Sequence, residues 1–253
     1  MIDKMPLTAH LGELRKRLLV SFVAVFAGFI FCFYYSEHIF YLLTLPLNST
    51  TKISLTYPFI SLEMLKNSNR QLVFLAPAEA FWMHMKIAGV GGIILTSPVI
   101  LFELWRFAGP GLMPKEKKYI IPLMVIMASL FLIGALFCFL LVLPFAMNFL
   151  LTYKTEMLKP MLSVGNYIDF CLKFILAFGA IFELPVVIVF LTKIGVVTTG
   201  TLAKNRKYAV LIAFVLAAFL TPTPDAFNQI LMAVPIILLY EAGIWASRIL
   251  GIK

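Results

Sequence analysis

The stretch IIPLMVIMASLFLIGALFCFLLVL, residues 120–143, carries no charged side chain over 24 consecutive positions. A helix of that length extends about 36 Å, which exceeds the roughly 30 Å hydrocarbon core of a bilayer. Strands of a membrane barrel are about half as long and alternate apolar with polar residues, a pattern that this stretch lacks. The stretch therefore predicts a transmembrane helix.

Composition extends this prediction to the whole chain. The sequence has 253 residues, of which 62% are hydrophobic and 13% are charged, and its mean hydropathy is +0.98. A water-soluble domain of this size could not remove so much apolar surface from water. The length allows one bundle of helices, so we predict a single integral membrane domain over residues 1–253.

Six apolar segments predict an all-α polytopic membrane protein with six transmembrane helices. The last two spans are predicted to be short, and the fifth has only 13 residues. Three explanations remain open for the fifth span: the Thr-Pro sequence after it lies below the lipid surface, the bilayer thins there, or its boundary is misplaced by a few residues. The predicted segments are 18–36, 80–102, 120–143, 170–192, 208–220 and 226–246.

The distribution of lysine and arginine predicts the orientation of these segments. With the N-terminus inside, fourteen of the 21 basic residues fall on the inner side, five on the outer side and two within spans. An excess of basic residues marks the cytoplasmic side, so both termini are predicted to be cytoplasmic. Orientation thus accounts for the net charge of +9, and the basic residues form no long run with interleaved aromatics. We therefore expect no nucleic-acid partner.

Residues 37–79 form a long outer loop between the first two spans. The loop contains Pro46, Pro58 and Pro77, and it is too apolar to be a free linker. We expect it to cap the outer face with short helices that lie near the membrane interface.

The sequence lacks the motifs of the common enzyme and metal sites. Cys32, Cys138 and Cys171 all lie within apolar segments, without CxxC or metal-like spacing. No HExxH, GxSxG or phosphate-binding GxxxxGK[ST] motif is present. We therefore expect no disulfide, metal, cofactor or catalytic residue.

Charged residues inside the spans need a reason. Glu183 lies near mid-membrane, where an ionised carboxylate costs about 3 kcal/mol or more, and Pro185 loosens the helix beside it. One interpretation is a functional polar pocket; the other is a protonated side chain bonded to a backbone carbonyl. We expect Lys173 to pair locally with Asp169, and Lys86 to be explained by local pairing with Glu79, seven residues before it, and by snorkelling.

Two acidic residues stand among cations on the predicted inner face. Glu13 lies in residues 10–17, which look like an amphipathic helix on the membrane surface before the first span. Glu116 lies in the second inner segment, residues 105–118, which is otherwise basic. Small residues also recur where helices could approach closely, including Ala24 with Gly28 and Ala88 with Gly92.

Short motifs spread along the chain carry a family resemblance. They are His10-Leu-x-Glu13-Leu-Arg15-x-Arg17, Ser97-Pro98-Val99-Ile100, Phe107-x-x-Pro110-x-Leu112, Lys115-Glu116, Ala177-Phe178-Gly179 with Phe182-Glu183-x-Pro185, and Thr221-Pro222 leading to Asp225. Together they resemble the TatC family, the signal-peptide receptor subunit of the twin-arginine protein translocase, over essentially the whole chain. One difference is Thr223, which separates two prolines where the family usually has Thr-Pro-Pro-Asp.

The resemblance implies a receptor that helps to move folded proteins across the bacterial inner membrane. It implies TatA-like and TatB-like single-span partners, self-association in the complex, contact with membrane lipid and energy from the proton motive force. Its ligand would be a signal peptide with two consecutive arginines, whose planar guanidinium groups match carboxylates. Glu13 and Glu116 would bind the arginines. The other implied signal-peptide residues are His10, Arg17, Phe107, Pro110 and Leu112.

The same resemblance assigns roles outside the inner face. Glu183 and Asp225 would contact partner helices, and Pro46 would shape the outer cap. A competing class is a secondary transporter or channel that uses Lys86, Lys173 and Glu183, but the two halves of the chain show no convincing repeat. An intramembrane enzyme is a third class, for which the required motifs are absent.

Overall fold

The computed structural model of the chain describes residues 7–53, 60–64, 72–108, 120–152, 161–221, 223 and 225–251. These residues are mostly helical. The helices are α1 (Leu7–Tyr34), α2 (Ser36–Asn48), α3 (Glu79–Ala108), α4 (Ile120–Phe137), α5 (Leu143–Thr152), α6 (Val164–Ile181), α7 (Leu184–Lys193), α8 (Thr199–Lys204), α9 (Arg206–Leu220) and α10 (Ala226–Ile249). The short strands are β1 (Ser49–Ile53), β2 (Ile60–Met64), β3 (Leu72–Val73) and β4 (Leu162–Ser163).

Five helical stretches are long and apolar enough to cross a membrane. They correspond to five of the six predicted segments, and the one from α4 to α5 is continued by a π-helical turn at Cys138–Val142. The predicted fifth segment is α9, which has 15 residues and is too short to meet the same criterion. The five stretches are Leu11–Tyr34, Glu79–Phe107, Ile121–Thr152, Val164–Lys193 and Ala226–Ile249.

Two sequence predictions about helix length are wrong. The last span is not short, because α10 runs for 24 residues and continues past residue 246 to Ile249. Residues 10–17 do not form a separate surface helix, because α1 is one continuous helix of 28 residues. No proline interrupts the sequence between the amphipathic segment and the span, so the helix propagates through both.

The segment after α1 combines a helix with strands. The predicted cap helix is found as α2, which contacts α3 and α5. The expected short helices do not account for the whole segment, because β1 and β2 pair as an antiparallel hairpin and β3 pairs in parallel with β4. Pro46 is a buried residue within α2. The Tyr167 hydroxyl of α6 donates a 2.6 Å hydrogen bond to the Leu43 carbonyl, which fixes α2 on the bundle.

Helix α6 lies at the centre of the bundle. Most of its side chains are buried, including Phe174 and Phe178, and it contacts α3, α4 and α9. Helix α1 packs mainly on α3 and otherwise exposes large apolar side chains, as expected of a helix that faces lipid. Helix α10 packs on α7 and α9.

Contacts between helix termini define one end of the bundle. At the end where α3 finishes, Trp105 makes an edge-to-face contact with Phe190 of α7, with ring centroids 4.2 Å apart. In α7, the Thr192 hydroxyl lies 3.1 Å from the Ser247 hydroxyl of α10. We call this the basic end, since Arg17, Arg106, Lys193 and Arg248 lie there, and we call the opposite one the far end.

Candidate functional site

A cluster of three charged side chains forms where α1 crosses α3 near the basic end. Arg17 Nη2 donates to Glu13 Oε1 at 3.1 Å, and Arg17 Nη1 donates to Glu103 Oε2 at 3.0 Å. The first bond lies within one helix, because residues four apart share a face. The second joins residues 86 positions apart. One guanidinium therefore connects the start of α1 to the last part of α3.

Glu103 is the functional candidate that the sequence reasoning missed. Its side chain is buried, at 5% exposure, just beyond the predicted end of the second span at residue 102. Carboxylates are rarely buried without a partner, and Arg17 is the partner of Glu103. The sequence did contain a signal for Glu103, because this acid directly follows an apolar run. Basic residues predicted on the same side of the membrane were available to pair with it.

The cluster contains an unused donor. Arg17 Nε is buried and has no hydrogen-bond partner among the described residues. Arginine has five N–H donors, of which the two described bonds use one on each terminal nitrogen. The guanidinium is thus held by two carboxylates without being saturated.

Two of the remaining residues predicted for this face, Phe107 and His10, lie on described helices. Phe107 lies in the last turn of α3 and is half-buried. His10 lies on the first turns of α1, and its side chain is outside the described part of the chain. Pro110, Leu112 and Glu116 lie outside the described residues, so their approach to Glu13 stays a prediction.

Glu183 lies at the break between α6 and α7. The break follows from Pro185, which has no N–H to donate to the Ile181 carbonyl, as the sequence predicted. The Glu183 side chain is 7% exposed, and both carboxylate oxygens are buried without a hydrogen-bond partner among the described residues. One interpretation of the sequence was a protonated Glu183 bonded to a backbone carbonyl. The described residues supply no such carbonyl. A carboxylate left in this state is costly without a partner.

Asp225 forms the N-cap of α10. Its side chain accepts bonds from the Asn228 backbone N–H at 2.7 Å and from Asn228 Nδ2 at 2.9 Å. Burial acts to raise the pKa of the Asp225 carboxyl, but the hydrogen bonds from Asn228, Thr223 and Phe227 outweigh it and hold the pKa below its usual range. The additional residue Thr223 accepts a 3.0 Å bond from Asn228 Nδ2, so it is incorporated into the cap.

The lysines inside the spans are not arranged as the sequence suggested. Lys86 Nζ lies 2.7 Å from Asp169 Oδ1, which joins α3 to α6, and Lys173 is exposed. The predicted Lys173–Asp169 pair is therefore wrong. Glu79 does not pair with Lys86 either, because it accepts bonds from the Ser163 hydroxyl and, at 2.7 Å, from the Gly165 N–H. Spacing along one helix did not predict these pairs, because Asp169 bonds Lys86 of α3 and Glu79 bonds Gly165 of α6.

This pairing bears on the transporter alternative. Two of the three residues that it requires, Lys86 and Lys173, are explained by a salt bridge across helices and by exposure on the surface of α6. Of the three, Glu183 alone has buried side-chain atoms without a hydrogen-bond partner among the described residues.

Comparison with known proteins identifies the family. Residues 9–235 match the family model described as Sec-independent protein translocase protein (TatC). The Aquifex aeolicus protein of that name is 42% identical over 247 residues, covering 97% of this chain and 95% of the relative. The Desulforapulum autotrophicum protein of that name is 38% identical over 251 residues, covering 99% of this chain and 87% of the relative.

A solved structure shows the same fold. The crystal structure of the twin-arginine translocase receptor TatC superposes with a TM-score of 0.80 at 39% identity, covering 96% of this chain and 99% of the other. The match includes the apolar helices and extends over nearly the whole of both chains. The chain therefore belongs to the TatC family of Sec-independent protein translocases, as a multi-pass membrane component of protein transport.

Proposed function

We propose that this protein is the receptor subunit of a twin-arginine translocase and binds the arginine pair of signal peptides at its basic end. That end would face the cytoplasm of a bacterium, with the chain crossing the inner membrane six times and both termini cytoplasmic. Two observations support this: membership of the TatC family, and the Glu13–Arg17–Glu103 cluster. The cluster carries the proposal, because it gathers carboxylates where a cationic ligand is expected.

Glu13 and Glu116 are the proposed ligands of the two guanidinium groups. An arginine fork fits a carboxylate with two parallel hydrogen bonds, whereas a lysine ammonium offers only a point charge. His10, Phe107, Pro110 and Leu112 would line the same face. The peptide would thus be selected by the shape of its two cations as well as by their charge.

Assembly with TatA-like and TatB-like single-span partners is the second part of the proposal. Glu183 supports it, since a buried carboxylate without a partner in the described chain offers a docking point for a polar residue of another helix. An apolar groove of about 450 Å³ between α4, α5 and α10 is lined by Phe137, Phe145 and Leu238 and offers apolar surface to side chains of a partner helix. Self-association and the use of the proton motive force belong to the same proposal.

The experiment measures affinity for a labelled signal peptide in nanodiscs at fixed salt. Wild-type protein should bind the Arg-Arg peptide and should bind a Lys-Lys peptide poorly. Glu13→Ala and Glu116→Ala should each weaken Arg-Arg binding roughly tenfold or more, because each removes a charge-assisted hydrogen-bonding group. Equal binding of the two peptides to the wild type, or unchanged binding in both variants, would contradict the proposal.

A further inference from the structure

Glu103 shares Arg17 with the proposed peptide-binding acid Glu13 but is not part of the motifs that carry the family resemblance. It belongs to α3, is buried, and reaches Glu13 only through Arg17. We propose that Glu103 is a positioning and affinity-determining residue of the arginine-binding site: it holds Arg17 and thereby keeps Glu13 oriented and the cluster negatively charged. This inference rests on the proposed function.

Glu103 determines the charge of the cluster. Glu13 and Arg17 lie one helical turn apart and would neutralise each other if they formed an isolated pair. Glu103 adds a second carboxylate to the same guanidinium. Glu13, Arg17 and Glu103 together then carry a formal net charge of −1, because two carboxylates share one guanidinium. An incoming guanidinium thus meets a site with negative charge instead of a neutral pair.

Glu103 also restrains the geometry of the cluster. Arg17 uses its two terminal nitrogens on acids from different helices, at 3.1 Å and 3.0 Å. A planar fork fixed at both prongs has few alternative rotamers, so it restrains the carboxylate that it contacts. Exposed pairs four residues apart on a helix are weak and mobile without such an anchor. Glu103 supplies the anchor from α3, which is packed against α1.

Arg17 Nε is buried without a partner among the described residues, although the same side chain bonds two carboxylates. Buried N–H groups normally find an acceptor. A bound peptide has backbone carbonyls that can accept from Arg17 Nε while its arginines contact the carboxylates. In the proposed complex the ligand would therefore supply both the cations that the carboxylates bind and an acceptor for Arg17 Nε.

A purely structural role for Glu103 predicts different behaviour. In that case Glu103 would only satisfy a buried arginine, and its replacement would change folding stability without a specific effect on cation recognition. Glu103→Gln separates the two roles, because the amide keeps the volume and one acceptor oxygen but removes the charge. Its effect should depend on the charge of the peptide.

The experiment compares Glu103→Gln with wild type in nanodiscs, using the Arg-Arg peptide and a Gln-Gln peptide over a series of salt concentrations. The matched control is Glu241→Gln, because Glu241 also pairs with an arginine, Arg206, at 2.7 Å, near the beginning of α9. Glu103→Gln should lose roughly tenfold in Arg-Arg affinity and show a shallower salt dependence, with little change for Gln-Gln. Glu241→Gln should match wild type.

Two results would overturn the inference. One is Arg-Arg affinity of Glu103→Gln within about twofold of wild type with an unchanged salt dependence. The other is an equal loss for both peptides, which would indicate general damage. Glu13→Ala in the same series separates this inference from the proposed function. If Glu13→Ala loses binding and Glu103→Gln does not, only the role of Glu103 fails; if Glu13→Ala also binds normally, the binding site itself is wrong.

Discussion

Gly28 of α1 and Gly92 of α3 face each other where the two helices cross. A Cβ built on Gly28 would lie 3.0 Å from the Gly92 carbonyl oxygen, and a Cβ on Gly92 would lie 2.7 Å from the backbone nitrogen of Phe29. Backbone atoms cannot move aside as a flexible side chain can, so only glycine permits this approach. The same crossing brings Arg17 to Glu103.

The first prediction concerns this crossing. Gly92→Ala should force α1 away from α3, lower the midpoint of thermal unfolding in detergent and weaken Arg-Arg peptide binding, because the cluster loses its alignment. The matched control is Gly89→Ala on the same helix, where an added Cβ meets nothing within 4 Å. That control should leave the midpoint unchanged or raise it, since alanine favours a helix by about 1 kcal/mol over glycine. If both variants behave alike, the close approach is not required.

The second prediction concerns Asp225 and pH. Its pKa is lowered in the folded protein, so the folded state binds the proton less readily than the unfolded state does. The associated stability is present above the unfolded pKa, near 4, and is lost as the pH falls through the folded pKa. Wild type should therefore lose its stability advantage over Asp225→Asn as the pH falls below about 4. Unfolding midpoints measured from pH 3 to 7 that remain parallel would contradict this.

A direct test of the cap accompanies the pH series. Asp225→Ala removes the acceptor of the Asn228 N–H and should destabilise the start of α10 by about 1 kcal/mol. Asp225→Asn keeps a side-chain oxygen in that position and should cost less at neutral pH. Equal unfolding midpoints for Asp225→Ala and wild type would show that the cap contributes nothing.

The third prediction concerns Glu183 and partner helices. Glu183→Ala should weaken cross-linking to TatA-like and TatB-like partners while the protein remains inserted, because the buried polar group is lost. Glu183→Gln keeps hydrogen-bonding capacity and should do less harm. Glu241→Ala is the control acid, since Glu241 already has a partner in Arg206. Cross-linking of Glu183→Ala at the wild-type level with both partners would eliminate the docking role.

The fourth prediction concerns the number and direction of the spans. Single cysteines are placed at Met161, which is 76% exposed at the far end, and at Thr223, between α9 and α10. Both should react with a reagent that passes the permeabilised outer membrane of unlysed cells but not the inner membrane. A cysteine at Lys204 should react only after lysis. The native cysteines are buried and give little background. Inner labelling at position 223 would mean that α9 does not cross the membrane.

Much of the architecture was predictable from hydropathy. Backbone polar groups in a bilayer have no water to bond, so long uncharged runs form helices. Five helical stretches accordingly overlap their predicted segments, with bounds that differ by several residues. The α6 to α7 break at Glu183 was also predictable, because Pro185 acts through the backbone alone. Gly28 and Gly92 gave a signal on each helix, although the identity of the facing residues required the fold.

Pairings between distant residues could not be predicted in the same way. Asp169 was assigned to Lys173 by helical spacing, yet it pairs with Lys86 of α3. Glu103 bonds a residue 86 positions away, and no local pattern encodes such a contact. The β1–β2 hairpin was missed because its two strands lie in an apolar loop without a clear two-residue turn signal. Electrostatic partners depend on packing, and one sequence does not specify which helix faces meet.

The central claim is that the arginine pair of a signal peptide binds at the basic end of α1 and α3. The most direct measurement places a photoreactive residue next to the two arginines, irradiates the complex in nanodiscs and maps the cross-linked positions by mass spectrometry. Cross-links should fall within residues 9–17 and 101–118, and they should be lost with the Lys-Lys peptide and in Glu13→Ala. Cross-links at the far end, around residues 161–166, or an unchanged pattern with the Lys-Lys peptide, would contradict the claim.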